Sequence, residues 1–366
     1  MHITPIIQMT DNCNMACKYC YVGANNQTDN NISINKSFKS NYHTLLQFVD
    51  QVVEYNNYTS TRLIFHGGEP LLINLHNWEM LLTDLEKRNS ELKFSIQTNG
   101  TLFSNPILKL FKKYNMEIGI SLDGPEFLND KTRLLKNGGG SFKNIFKNIE
   151  KIIDSKMNCG VLVTVNKKNY KYAKEIYNFF FKLKIPFTVR PIFQTKFSVP
   201  DEYLLLPEEY AIFYCEIFDL WFDDNDSDTL LNQEFASMIA QFIKPIEGLV
   251  SCNFSKKCNE HFISFDLKGN LYPCNRLLGE NEFHYGNITE NSLKNILCNA
   301  SFEKLSNRWE NLSKTLCADC DVADYCYGGC PASSFYYHNN YLTKDYYCSA
   351  YKKILHHIHN KVQSTL

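Results

Sequence analysis

Between residues 4 and 192, six short β-branched or aromatic runs alternate with longer amphipathic stretches, and this alternation constrains the fold more than any other feature. The runs are Thr4 to Met9, Thr61 to Phe65, Leu92 to Gln97, Glu117 to Leu122, Gly160 to Val165 and Pro186 to Ile192. Between the first two, Phe38, Leu45, Leu46, Val49, Val52 and Val53 recur at three- and four-residue steps, the spacing of one helix face. Trp78 to Arg88, Pro106 to Tyr114, Phe142 to Lys156 and Tyr170 to Leu183 repeat the pattern, with Asn105-Pro106 and Gly140-Ser141 as helix starts. Parallel strands need a crossover that a helix supplies, so the pattern predicts an α/β fold. Six units fall short of a closed eight-fold barrel, and a partial (β/α)6 TIM-type barrel is the simplest closure. A doubly wound open sheet is the alternative on pattern alone.

Residues 207 to 222 and 230 to 243 read as helices on either side of the acidic run Asp223 to Asp228, which reads as a solvated loop. After about residue 248 cysteines become dense, and Gly269-Asn270 between two short β-like runs marks a hairpin. The expected organisation is a barrel over 1–200, a helical connection over 201–248, a cysteine-rich domain over 249–350 and a C-terminal helix or tail over 351–366. Lys+Arg at 38 against Asp+Glu at 39 gives a formal charge of -1, so no strong field draws nucleic acid or an anionic membrane to this surface. No apolar run approaches the roughly eighteen residues of a membrane span. Met1 to Gln8 has no basic segment followed by a long apolar one, so no signal peptide is expected and the expected compartment is cytoplasmic. In a reducing compartment, grouped thiols favour metal or cluster ligation over disulfides.

The thiols are grouped. Of fourteen cysteines, Cys13, Cys17 and Cys20 stand as C-x3-C-x2-C directly after the first strand. Three thiolates on one short loop can wrap a cubane iron-sulfur cluster whose fourth iron then has no protein ligand. Structural zinc is the competing reading, but it wants four ligands and no fourth stands nearby; buried structural thiols are the plain alternative.

With these residues in place the chain resembles the radical S-adenosylmethionine (radical SAM) enzymes. Their C-x3-C-x-aromatic-C loop matches Cys13, Cys17, Tyr19 and Cys20. The resemblance implies that the open iron chelates the amino and carboxylate groups of S-adenosylmethionine, with Tyr19 beside the adenine. Gly67-Gly68-Glu69-Pro70, after the second strand, is similar to the family's GGEP motif, which hydrogen-bonds the methionine amino group. A carboxylate suits an ammonium, and glycines let backbone approach a ligand closely. Gln97-Thr98-Asn99-Gly100 resembles the QTNG segment, which implies pocket roles for Gln97 and Asn99. Ser121-Leu122-Asp123-Gly124-Pro125 resembles S-x-D-G-P, and Arg133 lies twelve residues beyond Ser121. By the resemblance, Ser121, Asp123 and Arg133 join the cofactor pocket, serine and arginine at the ribose and carboxylate. Taken alone, Asp123-Gly124-Pro125 is a turn and Arg133 a surface charge.

Cys317, Cys320, Cys326 and Cys330 give C-x2-C-x5-C-x3-C, with Cys348 beyond and Cys252, Cys258 and Cys274 upstream. Eight thiolates satisfy two four-ligand sites, of iron-sulfur clusters or of zinc. This region resembles the SPASM domain of peptide- and protein-modifying radical SAM enzymes. The resemblance, not the spacing, implies Cys252, Cys258, Cys274 and Cys330 on one auxiliary cluster and Cys317, Cys320, Cys326 and Cys348 on the other. Three 4Fe-4S clusters and S-adenosylmethionine are then the expected cofactors. Cys159, Cys215 and Cys298 remain as core thiols.

The implied activity is hydrogen abstraction from a side chain of a peptide or protein, with full auxiliary clusters suiting a net two-electron oxidation. Two readings divide the family. In anaerobic sulfatase-maturing enzymes, which form formylglycine from serine or cysteine, an aspartate base follows the cysteine of the Tyr-Pro-Cys segment. Here that position is Asn275, and an amide cannot accept the proton. The sequence therefore favours the other reading, a maturase forming carbon-carbon or thioether crosslinks in a ribosomal precursor peptide, with the catalytic base unassigned. The first strand begins almost at Met1, so leader recognition is expected from a separate protein or from a surface of this chain. A flavodoxin or ferredoxin is the expected electron donor. A cluster-bearing redox or scaffold protein is the non-enzymatic alternative; it has no use for Glu69, Gln97, Ser121 and Arg133 around an open iron.

Overall fold

The computed structural model describes residues 2–23, 31–224, 232–243 and 251–365. Asn225 to Asp228 of the acidic run, and residues 244–250 around the expected change of character, lie outside the described residues. Among the described residues nine strands are formed: β1 (Thr4–Gln8), β2 (Thr61–His66), β3 (Leu92–Thr98), β4 (Glu117–Ser121), β5 (Cys159–Val165), β6 (Phe187–Pro191), β7 (Phe262–Asp266), β8 (Asn270–Tyr272) and β9 (Gly286–Asn287). The first six are the expected ones, each shifted by no more than one residue at either end. The chain divides into two compact units, Met1–Ser121 with Arg133–Cys159 and Cys258–Ser306, and Leu122–Thr132 with Gly160–Lys257 and Asn307–Leu366.

In the first unit the strand order is β4-β3-β2-β1-β7-β8-β9. β1 to β4 are mutually parallel and β7 runs parallel to β1 on its other side. Successive strands add in one direction, as a barrel wall requires; a doubly wound sheet would reverse direction at a switch point. Helices Tyr42–Tyr55, Leu75–Arg88 and Asn105–Lys113 make the crossovers. Period-2 burial separates the two faces of this sheet. Leu63, Phe65, Phe94, Ile96, Ile118 and Ile120 are buried, and their face meets the helices: the fully buried Trp78 packs edge-on at 5.0 Å from Phe65 and 5.3 Å from Phe111. The alternating positions turn His66, Gln97, Gly119 and Ser121 toward the opposite face, at the C-terminal strand ends. The hairpin expected at Gly269-Asn270 is present, with β7 and β8 antiparallel and Phe265 opposite Leu271.

Two expectations are corrected. The continuous helical pattern from Phe38 to Val53 is broken into Asn31–Ser40 and Tyr42–Tyr55, because Asn41 turns its amide back to the Ser37 carbonyl at 2.9 Å and so competes with the helix. Cys298 is exposed rather than a core thiol, because Leu293, Ile296 and Leu297 take the buried positions of its short turn. Cys159 and Cys215 are half-buried.

In the second unit β5 and β6 pair in parallel, Val161 opposite Phe187. Helix Pro207–Phe222, as expected from the sequence, packs on helix Cys348–Gln363 through Tyr210, whose ring is 5.3 Å from Tyr347 and 6.3 Å from Tyr351. The Asp219 carboxylate meets His357 at 2.7 Å on the same pair of helices. Among the described residues no helix is long and apolar enough to cross a membrane.

Candidate active site

The site in the first unit is built by three loops that leave the C-terminal ends of β1, β2 and β3. Gly67 has φ +131°, where L side chains are strained, and a Cβ there would collide with the Thr10 carbonyl; one at Gly68 would collide with that of Asn12. The two glycines therefore let the β2 loop lie against the backbone of the cysteine loop. Gly68 N–H donates to Thr10 O at 2.7 Å and Glu69 N–H to Asn12 O at 2.8 Å.

This approach carries Glu69 into the interior, where it is fully buried. Its Oε1 accepts from Thr98 Oγ1 at 2.6 Å and Leu71 N–H at 2.9 Å, and its Oε2 from Asn99 N–H at 2.7 Å. Burial pushes the Glu69 carboxyl above its ordinary range, while the three donors and the charge of Arg133 pull it back. A buried carboxylate with these neutral donors is a site for a cation.

Asn99 joins the β3 loop to the cysteine loop. Its Nδ2 donates to Asn14 Oδ1 at 2.8 Å and reaches Cys13 Sγ at 3.6 Å. Its Oδ1 accepts from Thr101 Oγ1 at 2.6 Å, and Asn14 Nδ2 closes the ring of bonds on Thr101 at 2.8 Å. Met15 N–H also donates to Cys13 Sγ, at 3.4 Å. Burial, then Glu69, and further the Cys17 and Cys20 thiols, push Cys13 up to about 12. A metal must therefore supply the charge that holds this thiol as thiolate. Three mutually coupled sulfurs, donors on one of them and a buried carboxylate beside them fit a cluster with an attached cationic ligand.

Gln97 Nε2 donates to Ser121 Oγ at 2.9 Å, in space left by Gly119, whose Cβ would collide with Gln97 Oε1. Arg133, 6% exposed, donates from Nη1 to the Tyr19 hydroxyl at 3.1 Å, so Tyr19 and the arginine are paired rather than surface groups. Asp123 belongs to the second unit, where it is fully buried and accepts from Thr164 N–H at 3.0 Å and Thr132 Oγ1 at 3.2 Å.

A second set of bonds surrounds the position after Cys274. Asn275 Oδ1 accepts from the Ser264 hydroxyl, and the Asn275 side chain lies close to the Tyr21 hydroxyl. Tyr21 in turn meets His66 Nε2 at 3.2 Å. Gly67 N–H donates to His66 Nδ1 at 2.7 Å, which puts the ring proton on Nε2. Burial lowers His66 to about 4, so it is a neutral donor and not a free base.

Of the C-terminal cysteines, Cys258 and Cys274 lie in the first unit, both beside Tyr285. Cys317, Cys320, Cys326 and Cys348 lie together in the second, where burial first, and their mutual charges, raise Cys326 and Cys348. Cys252 and Cys330 belong to the second unit. Arg308 fixes the loop around Cys330: it is 4% exposed and donates to the carbonyls of Gly328, Gly329, Tyr341 and Thr343 at 2.6 to 3.0 Å. Asp345 completes it, accepting from Cys330 N–H at 2.7 Å and Ser333 Oγ at 2.6 Å. Among the described residues no three His, Cys, Asp or Glu side chains stand at the spacing of a single metal ion.

Asn14, Thr98, Gly119, His66, Tyr21, Arg308 and Asp345 were not among the residues nominated from sequence. Thr98 and His66 carried a signal, being inside or directly before a recognised motif at a strand end; Arg308 and Asp345 carried none.

The family models agree with this geometry. The Radical SAM superfamily model matches residues 7–180, and the SPASM model, an iron-sulfur cluster-binding domain, matches 252–321. The chain is a radical SAM enzyme with a C-terminal SPASM domain, and its cofactors are 4Fe-4S clusters and S-adenosylmethionine. Among curated proteins it is 29% identical over 358 residues to a cysteine-type anaerobic sulfatase-maturating enzyme of Clostridium novyi, covering 94% of this chain and 91% of the relative. It is 26% identical over 360 residues to a serine-type anaerobic sulfatase-maturating enzyme of Bacteroides thetaiotaomicron, covering 92% and 85%. Among solved structures it shares the fold of native anSMEcpe with bound AdoMet, at TM-score 0.84 and 20% identity over 99% of both chains. Streptococcus suis SuiB bound to precursor peptide SuiA follows at TM-score 0.67 and 17% identity, covering 95% of this chain and 76% of that one.

Proposed function

We propose that this chain oxidises a cysteine or serine side chain of a protein or peptide substrate, as a maturase of the anaerobic sulfatase-maturating kind. The supporting observation is the complete first site, in which Cys13, Glu69 and Asn99 are tied by direct hydrogen bonds, in a chain whose full-length relatives bear that name. Those relatives reverse the preference for crosslinking drawn from Asn275. Bound there, the cluster and S-adenosylmethionine supply a 5'-deoxyadenosyl radical, the group that takes hydrogen from an unactivated carbon. Cys13, Cys17 and Cys20 hold the cluster, Glu69 receives the methionine ammonium, and Arg133 and Ser121 orient the remainder of the ligand.

In the SPASM domain we assign Cys252, Cys258, Cys274 and Cys330 to one auxiliary cluster and Cys317, Cys320, Cys326 and Cys348 to the other. A flavodoxin or ferredoxin supplies the electrons. The linear partition at residues 200 and 249 separates the two family domains.

One observation favours a second reading. Asn275 accepts from the Ser264 hydroxyl through its side-chain oxygen, and an amide in that place cannot take a thiol or hydroxyl proton. A crosslinking maturase of precursor peptides, served by a separate leader-binding protein, fits that site. Anaerobic incubation with a cysteine- or serine-bearing sulfatase peptide, followed by hydrazide labelling and mass spectrometry, decides between them. A hydrazide-reactive residue supports the first reading. Loss of two hydrogens with every side-chain heavy atom retained and no hydrazide adduct supports the second.

A further inference from the structure

In the second unit Asp345, 2% exposed, stands where the turn from Cys326 to Cys330 meets the start of the Cys348 helix. Its Oδ2 accepts from Cys330 N–H at 2.7 Å, and its Oδ1 from Ser333 Oγ at 2.6 Å and Tyr347 N–H at 2.8 Å. Its backbone is engaged as well: the carbonyl accepts from Cys348 N–H at 3.0 Å, and the N–H donates to Gly328 O at 3.1 Å. The turn itself is closed by Gly329 N–H on Cys326 O at 3.0 Å. It lies directly on Asp345, since a Cβ at Gly329 would stand 2.5 Å from Asp345 Cβ. One buried acid is thus bonded to two of the proposed cluster ligands, Cys330 and Cys348, and packed on the turn that follows a third, Cys326.

We infer that Asp345 is a positioning residue shared by the two auxiliary clusters, and that its fixed negative charge holds both their reduction potentials down together. The inference rests on the assignment of Cys330 to one cluster and of Cys326 and Cys348 to the other, and is independent of which side chain the enzyme oxidises. Three donors converge on the two oxygens of Asp345, the surroundings of an ionised carboxylate, which only accepts. Burial raises this carboxyl, and the Ser333 hydroxyl, the two N–H groups and the charge of Arg308 lower it again. Outer-shell bonds of this kind orient the ligands they adjoin. The potential of an iron-sulfur cluster follows its net charge, the hydrogen bonds to its sulfurs and its exposure to solvent. Asp345 bears on the first two. It sets an anion beside both sites, where burial leaves it little screened, and it draws the Cys330 N–H onto oxygen instead of leaving it to a sulfur. Lower potentials make both clusters readier electron donors and weaker acceptors.

The test is a redox titration of the anaerobically reconstituted holoenzyme followed by electron paramagnetic resonance. The triple variant Cys13→Ala, Cys17→Ala, Cys20→Ala marks which signals belong to the auxiliary clusters. Asp345→Asn keeps the shape of the side chain and removes its charge. At a fixed potential the reduced-to-oxidised ratio of each auxiliary cluster is expected to rise about ten-fold, a shift of about 59 mV for a one-electron couple, while that of the first cluster stays within about two-fold. A residue that merely held the loop would change the iron content and leave the potentials of the loaded clusters where they were. Should Asp345→Asn not load its clusters, Ser333→Ala keeps the carboxylate and removes one of its three donors. The charge is then less compensated, and both ratios are expected to fall. A shift at one auxiliary cluster alone overturns the sharing, and no shift at either in a fully loaded variant overturns the role of the charge. An unmodified protein with fewer than two auxiliary signals overturns the cluster assignment instead.

Discussion

Thr98 Oγ1 donates a 2.6 Å hydrogen bond to Glu69 Oε1 in a pocket where the carboxylate is wholly removed from water. The second strand loop thus depends on the third for its charge: without Thr98 and the Asn99 N–H, Glu69 would be a buried acid with one donor. Glu69→Gln keeps the shape and removes the charge, and S-adenosylmethionine affinity is expected to fall by about 3 kcal/mol, roughly 100-fold. Equilibrium binding to the reconstituted protein measures it; affinity unchanged within two-fold would remove Glu69 from the ammonium site.

The raised Glu69 carboxyl sets a pH dependence. Its folded value lies above the unfolded one, so between the two the folded state binds more protons and ligand-free stability falls as pH rises. An ammonium ligand favours the ionised form. S-adenosylmethionine affinity is therefore expected to decline as pH falls through the raised value, and binding in that window to release protons. Titration calorimetry in two buffers of different ionisation enthalpy reads the release directly.

Iron content separates the three proposed clusters. Anaerobic reconstitution is expected to give about twelve irons per chain, and the triple variant Cys13→Ala, Cys17→Ala, Cys20→Ala about eight. Colorimetric iron analysis checks both figures, and eight irons in the unmodified chain with no loss in the variant would contradict the first-cluster assignment.

Arg308 is buried on four backbone carbonyls around the Cys330 loop, and Asp345 is bonded to that loop's backbone. Arg308→Met leaves those acceptors unbonded and the Asp345 charge without its neighbour. A loss of about 3 to 5 kcal/mol is expected by chemical denaturation, with iron lost from the auxiliary sites while the first site is kept.

Much of this was legible in the sequence, and the physical reasons differ by region. Strand periodicity placed β1 to β6 within a residue because alternate residues such as Leu63 and Phe65 pack on helices while Arg62 and His66 face the other way. Glu69, Gln97, Ser121 and Arg133 were readable because each stands in or at a fixed offset from a strand-end motif. The break at Asn41 was not, since a side-chain bond to the Ser37 carbonyl leaves the apolar spacing intact. Gly119 was invisible because its role is to be absent opposite Gln97. Arg308 and Asp345 meet the Cys330 loop only after folding, from positions with no motif around them. Asn275 is legible as a missing acid, but the bond its side-chain oxygen accepts from Ser264 forms only once β7 is in place.

The central claim is that the first site cleaves S-adenosylmethionine. Chromatographic quantification of 5'-deoxyadenosine from the anaerobically reconstituted chain, supplied with a low-potential reductant, tests it most directly. The unmodified protein is expected to form 5'-deoxyadenosine and methionine together, and Cys17→Ala to form neither. Cleavage retained in Cys17→Ala, or none from an unmodified protein carrying its full iron, would contradict it.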